Sequence, residues 1–123
     1  MIGGVSDVNV IDLVVGLLED ALAVPICTDI PRDRPPRMVL VSLDGDASSE
    51  FLLKPRVALT CWGTSDRDAH EGALSAVQAL QDAALDHPYL SGVDLETMSR
   101  DEWSRTGQGR YLAILNLTIN VDD

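Results

Sequence analysis

Aromatic residues are scarce: two Trp, two Tyr and one Phe in 123 residues. Any core must therefore be built from aliphatic side chains and alanine. Cations are scarce as well. Nine Lys and Arg stand against twenty Asp and Glu, for a formal charge of −11. Nonspecific nucleic-acid binders work by neutralising phosphates with Lys and Arg, so this chain as a whole repels nucleic acid and anionic lipid. Lysine is nearly missing: Lys54 stands alone, and the other eight cations are arginines, which suit planar, partly buried pairing with carboxylates. The only cysteines, Cys27 and Cys61, lie in no metal spacing. They read as buried, reduced thiols, not a disulfide framework. No basic segment precedes an apolar run at the start of the chain, so no secretion signal is expected. The longest apolar stretch, residues 13–18, falls far short of the roughly 20 residues a membrane span needs. These absences predict a soluble, intracellular product with no membrane partner.

What remains is ordinary globular material. The chain is 46% hydrophobic and 24% charged, and its length suits one domain over residues 1–123. Surface scaling lets such a chain bury about two thirds of its unfolded surface, enough for one modest core.

Hydrophobic periodicity predicts the elements. Residues 6–22 read as an amphipathic helix capped by Ser6, with Asn9, Asp12, Gly16, Glu19 and Asp20 on its polar stripe. Its apolar face is wider than one sheet contact needs. That fits either deep packing in the domain or contact with a neighbouring subunit. Residues 24–28 form a short strand, which Pro25 restricts to an edge or a strand start. Residues 29–37 hold three prolines and three arginines and form a stiff, extended connection. A strand over 38–43 is apolar on both faces and so predicted internal. Asp44-Gly45-Asp46 signals a turn, and 47–50 a loop. A strand over 55–62 alternates Val57, Leu59 and Cys61 with Ala58, Thr60 and Trp62; its short connection predicts an antiparallel pair. Ser65 and Asp68 form a capping box for a second helix, which Pro88 stops. That helix carries Ala69, Ala73, Ala76, Val77, Leu80, Ala83 and Ala84 on one face. A strand over 93–98, a polar connection over 99–109 and a long strand over 110–121 complete the chain. The order α-β-β-β-α-β-β predicts an α+β fold: a mixed, mostly antiparallel sheet of four to five strands packed by two helices.

Chemical motifs are mostly rejected. His70 follows Asp66 by one helical turn, giving at most two metal ligands, and reads as part of a solvated face. His87 sits at a helix end that welcomes a cation. Asp44, Asp46, Ser48 and Glu50 start like a calcium loop, but Ser49 and Pro55 stand where Gly and Glu are needed. Gly107-Gln108-Gly109 precedes a strand, not a phosphate-holding helix. Trp62 and Trp103 could stack bases, but no basic groove accompanies them. The expectation is a protein without catalytic residues, cofactor or metal. One patch is unusual. Arg32, Arg34 and Arg37, joined by Lys54 and Arg56 on the adjoining strand, would gather five of nine cations. That patch fits a solvated loop paired with Asp29 and Asp33, or a cationic surface meeting an acidic one on a second copy or a partner.

Several segments taken together resemble a known family. They are Val24-Pro25-Ile26-Cys27-Thr28, Ile30-Pro31-Arg32-Asp33-Arg34-Pro35-Pro36-Arg37 feeding Met38-Val39-Leu40-Val41, Cys61-Trp62-Gly63 before an Ala-rich helix, and Thr106-Gly107-Gln108-Gly109-Arg110-Tyr111. The chain, over nearly its whole length, resembles the tail terminator (tail completion) proteins of long-tailed bacteriophages, especially those of actinobacteria. Asp44-Gly45-Asp46 departs from the Gly pair among basic residues common there, and Gly109 from a frequent Pro. The resemblance implies a structural virion protein, made in the host cytoplasm, that forms a ring of six subunits at the head-proximal end of the tail. Such a ring caps the tail tube protein, stops its polymerisation and meets the head-tail connector, while DNA passes through without specific binding. Six copies would multiply the charge of −11 sixfold. An acidic lumen repels DNA and lets it slide, and acids closer than about 8–10 Å must be paired with arginine. Hence Arg32, Arg34, Arg37 and Arg56 are candidate interface residues. The competing readings are a head-closure or stopper protein, a small enzyme using His70, and a small-molecule-binding domain.

Overall fold

The computed structural model describes residues 7–46, 52–100 and 109–120. The Ser6 cap, the loop expected over 47–50, the middle of the 99–109 connection and the terminal acids lie outside them.

Two helices and six strands follow in the order α1 (Asp7–Ala21), β1 (Ile26–Cys27), β2 (Met38–Asp46), β3 (Leu52–Leu53), β4 (Pro55–Gly63), α2 (Asp66–Ala84), β5 (Leu90–Arg100) and β6 (Gly109–Asn120). The fold is α+β. The strands form one mixed sheet in the order β1-β2-β4-β6, with β5 on the outer side of β6 and β3 pairing the far end of β6. Every pairing is antiparallel except β1 with β2. The dipeptide strand β3 escaped the sequence reading because two residues carry no periodicity.

Pleating decides where the core sits. Val39 and Val41, then Val57, Leu59 and Cys61, then Ala113, Leu115, Leu117 and Ile119 all face the helices and are buried. Their alternates, including Leu40, Ala58, Trp62, Leu112 and Ile114, face the opposite side. Both helices therefore lie on one face of the sheet. α2 buries Ala69, Ala73, Ala76, Val77 and Leu80, the stripe its periodicity predicts. The small alanines bring its axis close to the strands. Among its described side chains α1 buries Val10, Val14 and Leu18, spaced i, i+4, i+8. Its Ile11, Leu13, Val15 and Leu17 are half-buried.

Three expectations need correction. Asp44-Gly45-Asp46 is not a turn but the end of β2, where the register slips between Leu43 and Gly45. A glycine beside an extra residue is also the chemistry of a β-bulge, and Asp44 is that extra residue. β2 is internal only at Val39 and Leu40, where β1 covers it. Cys61 is buried as predicted, but Cys27 lies in the edge strand β1 and is only half-buried.

Candidate functional site

The first turn of α2 rests on two glycines that face each other across the sheet. Gly63 at the end of β4 pairs with Gly109 at the start of β6. A Cβ on Gly63 would lie 2.3 Å from the Ala69 nitrogen, and one on Gly109 2.0 Å from the Ser65 carbonyl oxygen. Both obstacles are backbone and cannot swing aside. Only glycine lets the helix start sit this low.

Above that seat the helix is capped from both sides. Ser65, extended at φ −153°, accepts the Asp68 N–H at 3.1 Å through its hydroxyl. The Asp68 carboxylate reaches back to the Thr64 N–H at 2.8 Å and the Thr64 hydroxyl at 3.2 Å. The capping box predicted from sequence thus forms, with its return bond one residue earlier than usual. The same carboxylate oxygen accepts the Arg37 Nε–H at 2.8 Å. That bond, the Thr64 amide and the arginine's charge hold the Asp68 carboxyl below its ordinary value, while Asp68 raises Arg37.

The arginines expected to form one patch do not. Arg34 places its guanidinium carbon 5.2 Å from the centre of the Trp62 ring, and Arg110 approaches the same ring at 5.6 Å. This is cation–π geometry, on an indole only 5% exposed. Arg37 lies one position before Met38, the cross-strand partner of Trp62. Arg56, by contrast, pairs with Gly45 and Asn116 at the other end of β4. Six residues of strand, roughly 20 Å, separate it from Trp62. There it is held by Glu96 and, at 3.3 Å, by Asp44; Glu96 also accepts the Asn116 side-chain N–H at 3.2 Å. Glu96 falls at the register slip of β5 as Asp44 does at that of β2, so Arg56 ties two bulges together. Register between distant strands is invisible in a linear sequence, which is why the reading gathered Arg56 with the others. Arg32 is exposed and makes no ion pair among the described residues.

Trp62 is the hub the sequence reading underrated. The signal was there: a large aromatic at a strand end, flanked by Cys61 and Gly63. Its ring is occupied by the two arginines and offers no face for base stacking. The histidines are also committed. His70 stacks on Tyr111 with ring centres 4.8 Å apart, while Asp66, its expected neighbour, pairs with Arg100 at 3.0 Å. His87 is engaged by the backbone that follows it: its Nδ1 accepts the N–H of Tyr89 and of Leu90, both at 3.0 Å. Among the described residues no three His, Cys, Asp or Glu side chains cluster to hold a metal. No described helix is long and apolar enough to cross a membrane. Burial pushes the Cys61 thiol up to about 12, so it is a poor nucleophile.

Two shallow grooves flank α2. The larger, about 590 Å³, runs between the last turn of α1 and the outer side of α2, over Leu22, Leu74, Gln78, Ala79 and Asp82. The smaller, about 300 Å³, has the Arg37–Asp68 pair in its wall beside Val24 and Gly72. In comparisons with known proteins, no family model and no curated protein matches this chain.

Proposed function

We propose that the chain is a structural subunit of a phage tail, forming a ring at the head-proximal end of the tail tube and ending tube growth. One observation carries the reading. Three of the four segments behind the resemblance lie far apart in sequence, yet they meet at one end of the sheet. Arg34 and Arg37 come from the proline-rich connection, Trp62 and Gly63 from the end of β4, and Gly109, Arg110 and Tyr111 from the start of β6. Gly63, Gly109, Tyr111 and, through Asp68, Arg37 meet the start of α2 on one face of the sheet, while Arg34, Trp62 and Arg110 cluster on the other face of the same strand ends. Residues that act as one physical unit support a shared ancestry more strongly than scattered likenesses do. The half-covered apolar side of α1 adds to this, since a neighbouring subunit would complete its burial. The reading assigns this chain no reaction.

Imaging of intact particles by electron cryomicroscopy tests it. The expected result is a ring of this fold on the last layer of tube protein, and abnormally long tubes when the gene is disrupted. Density against the head's connector alone would assign a head-closure role instead. Absence from mature particles would end the proposal.

A further inference from the structure

The connection between β1 and β2, residues 28–37, behaves as a strap. Pro31, Pro35 and Pro36 restrict its backbone. Arg34 pins it to Trp62 and Arg37 to Asp68. Between the pins and β1 its tip presents Ile30, 57% exposed, and Arg32, which has no ion pair among the described residues. An isoleucine in water beside an unpaired arginine, on a rigid support, is an anchor whose ordering cost is largely already met.

The same chain carries a receptor of matching chemistry. The groove of about 590 Å³ has an apolar floor of Leu22, Leu74 and Ala79, and Leu74 is 48% exposed. Its charged wall residue is Asp82, one of whose oxygens takes the Gln78 side-chain N–H at 2.9 Å; among the described residues no Lys or Arg lines it. Glu19 and Asp20 lie exposed on the adjoining turn of α1. We propose that the strap tip of one copy docks in the α1–α2 groove of the next, with Ile30 over Leu74 and Arg32 on Asp82. The occupant is a second copy because the signs complement: the tip supplies the cation and the groove the acid. Made once between each pair of copies the contact is head-to-tail, and its repetition closes a ring or runs into a filament, whereas made reciprocally it would stop at a dimer. The inference rests on the ring reading and supplies its subunit contact.

Disulfide trapping tests it. Ile30→Cys and Leu74→Cys are combined in a Cys27→Ser background, and the oligomeric state of the unaltered chain is measured by light scattering. Both new cysteines replace exposed residues, so the fold should survive, and circular dichroism checks that. The expected result is a ladder of covalent oligomers on non-reducing gels, absent when Leu85→Cys replaces Leu74→Cys. Arg32→Glu or Asp82→Arg alone should abolish the ladder, and the two reversals together should restore it. A ring without a ladder overturns the docking contact and leaves the ring reading standing. A monomer without a ladder overturns the docking contact, and the ring reading then stands or falls on the imaged particles. A ladder without a ring upholds the contact and removes the ring.

Discussion

The two helices lie side by side on one sheet, yet the sheet uses them differently. α2 is fitted to it: a five-residue buried stripe rich in alanine, a capped start, and two glycines cleared for its first turn. α1 is more hydrophobic but less buried. It commits Val10, Val14 and Leu18 and leaves Ile11, Leu13, Val15 and Leu17 half in water. Hydrophobic content alone thus misjudges which helix holds the fold. Small residues at close approach anchor α2, while the aliphatic excess of α1 exceeds what one chain can cover. The excess is consistent with a second role in contact between copies.

Breaking the seat of α2 should have the largest effect. Gly109→Ala and Gly63→Ala each put a methyl into backbone, and each should cost more than about 3 kcal/mol, at or beyond the upper range of overpacking. Urea unfolding of the purified variants measures this; a loss within experimental error would show that the helix start can lift off freely. Next comes the contrast between the stripes. Leu80→Ala in α2 removes a fully buried side chain and should cost about 2–5 kcal/mol. Leu17→Ala in α1 should cost well under half of that in the isolated chain, because half-buried methyls return less on folding. Equal losses would erase the distinction between the helices.

Much of this contrast was legible in the sequence. The buried stripe of α2 was read correctly as far as Leu80, because alanines and leucine recur at 3.6-residue spacing and Ser65 marks the start, while Ala83 and Ala84, read onto the same face, are only half-buried. The excess breadth of the α1 apolar face was legible too. What could not be read were relations between distant strands. The pairing of Gly63 with Gly109 follows from register, and neither glycine signals it alone. The separation of Arg56 from Arg34 follows from the direction of β4, which a list of charges does not contain. Asp44 and Gly45 misled for a chemical reason, since turns and bulges draw on the same residues. The hydrogen bonds of His87 to the backbone just after it were equally out of reach, since they depend on how the chain turns beyond the helix.

The cap of α2 should show in acid. Asp68 titrates below an ordinary carboxylate because it accepts from Arg37 and Thr64. A carboxylate depressed in the folded state contributes stability above its unfolded value, and that contribution is lost as pH falls through the folded one. The wild type should therefore lose stability on acidification faster than Asp68→Asn, most clearly below the usual carboxylate range. Parallel slopes in urea titrations across pH would show that the Arg37 bond adds nothing to the fold.

The smallest effect separates the helices most cleanly. Gly16 in α1 and Gly72 in α2 both lie inside helices, and an added Cβ at either meets nothing within 4 Å. Alanine at each site should therefore stabilise the isolated chain by about 0.5–1 kcal/mol, because glycine gives up more backbone freedom on folding. The isolated chain cannot distinguish the two positions, but an assembly can. Gly16 is half-buried on the polar stripe it shares with Asp12, Glu19 and Asp20, at the edge next to the half-buried Leu13, so a neighbouring copy packed over that edge would meet the new methyl. Gly16→Ala should then raise the unfolding midpoint while lowering the fraction assembled at a given concentration. Gly72→Ala should raise the midpoint and leave assembly unchanged, since the proposed strap contact lies over Leu74 and Asp82, on the larger groove. Identical assembly curves for both variants would show that α1 faces solvent along Gly16, and its unburied aliphatics would then need a different explanation.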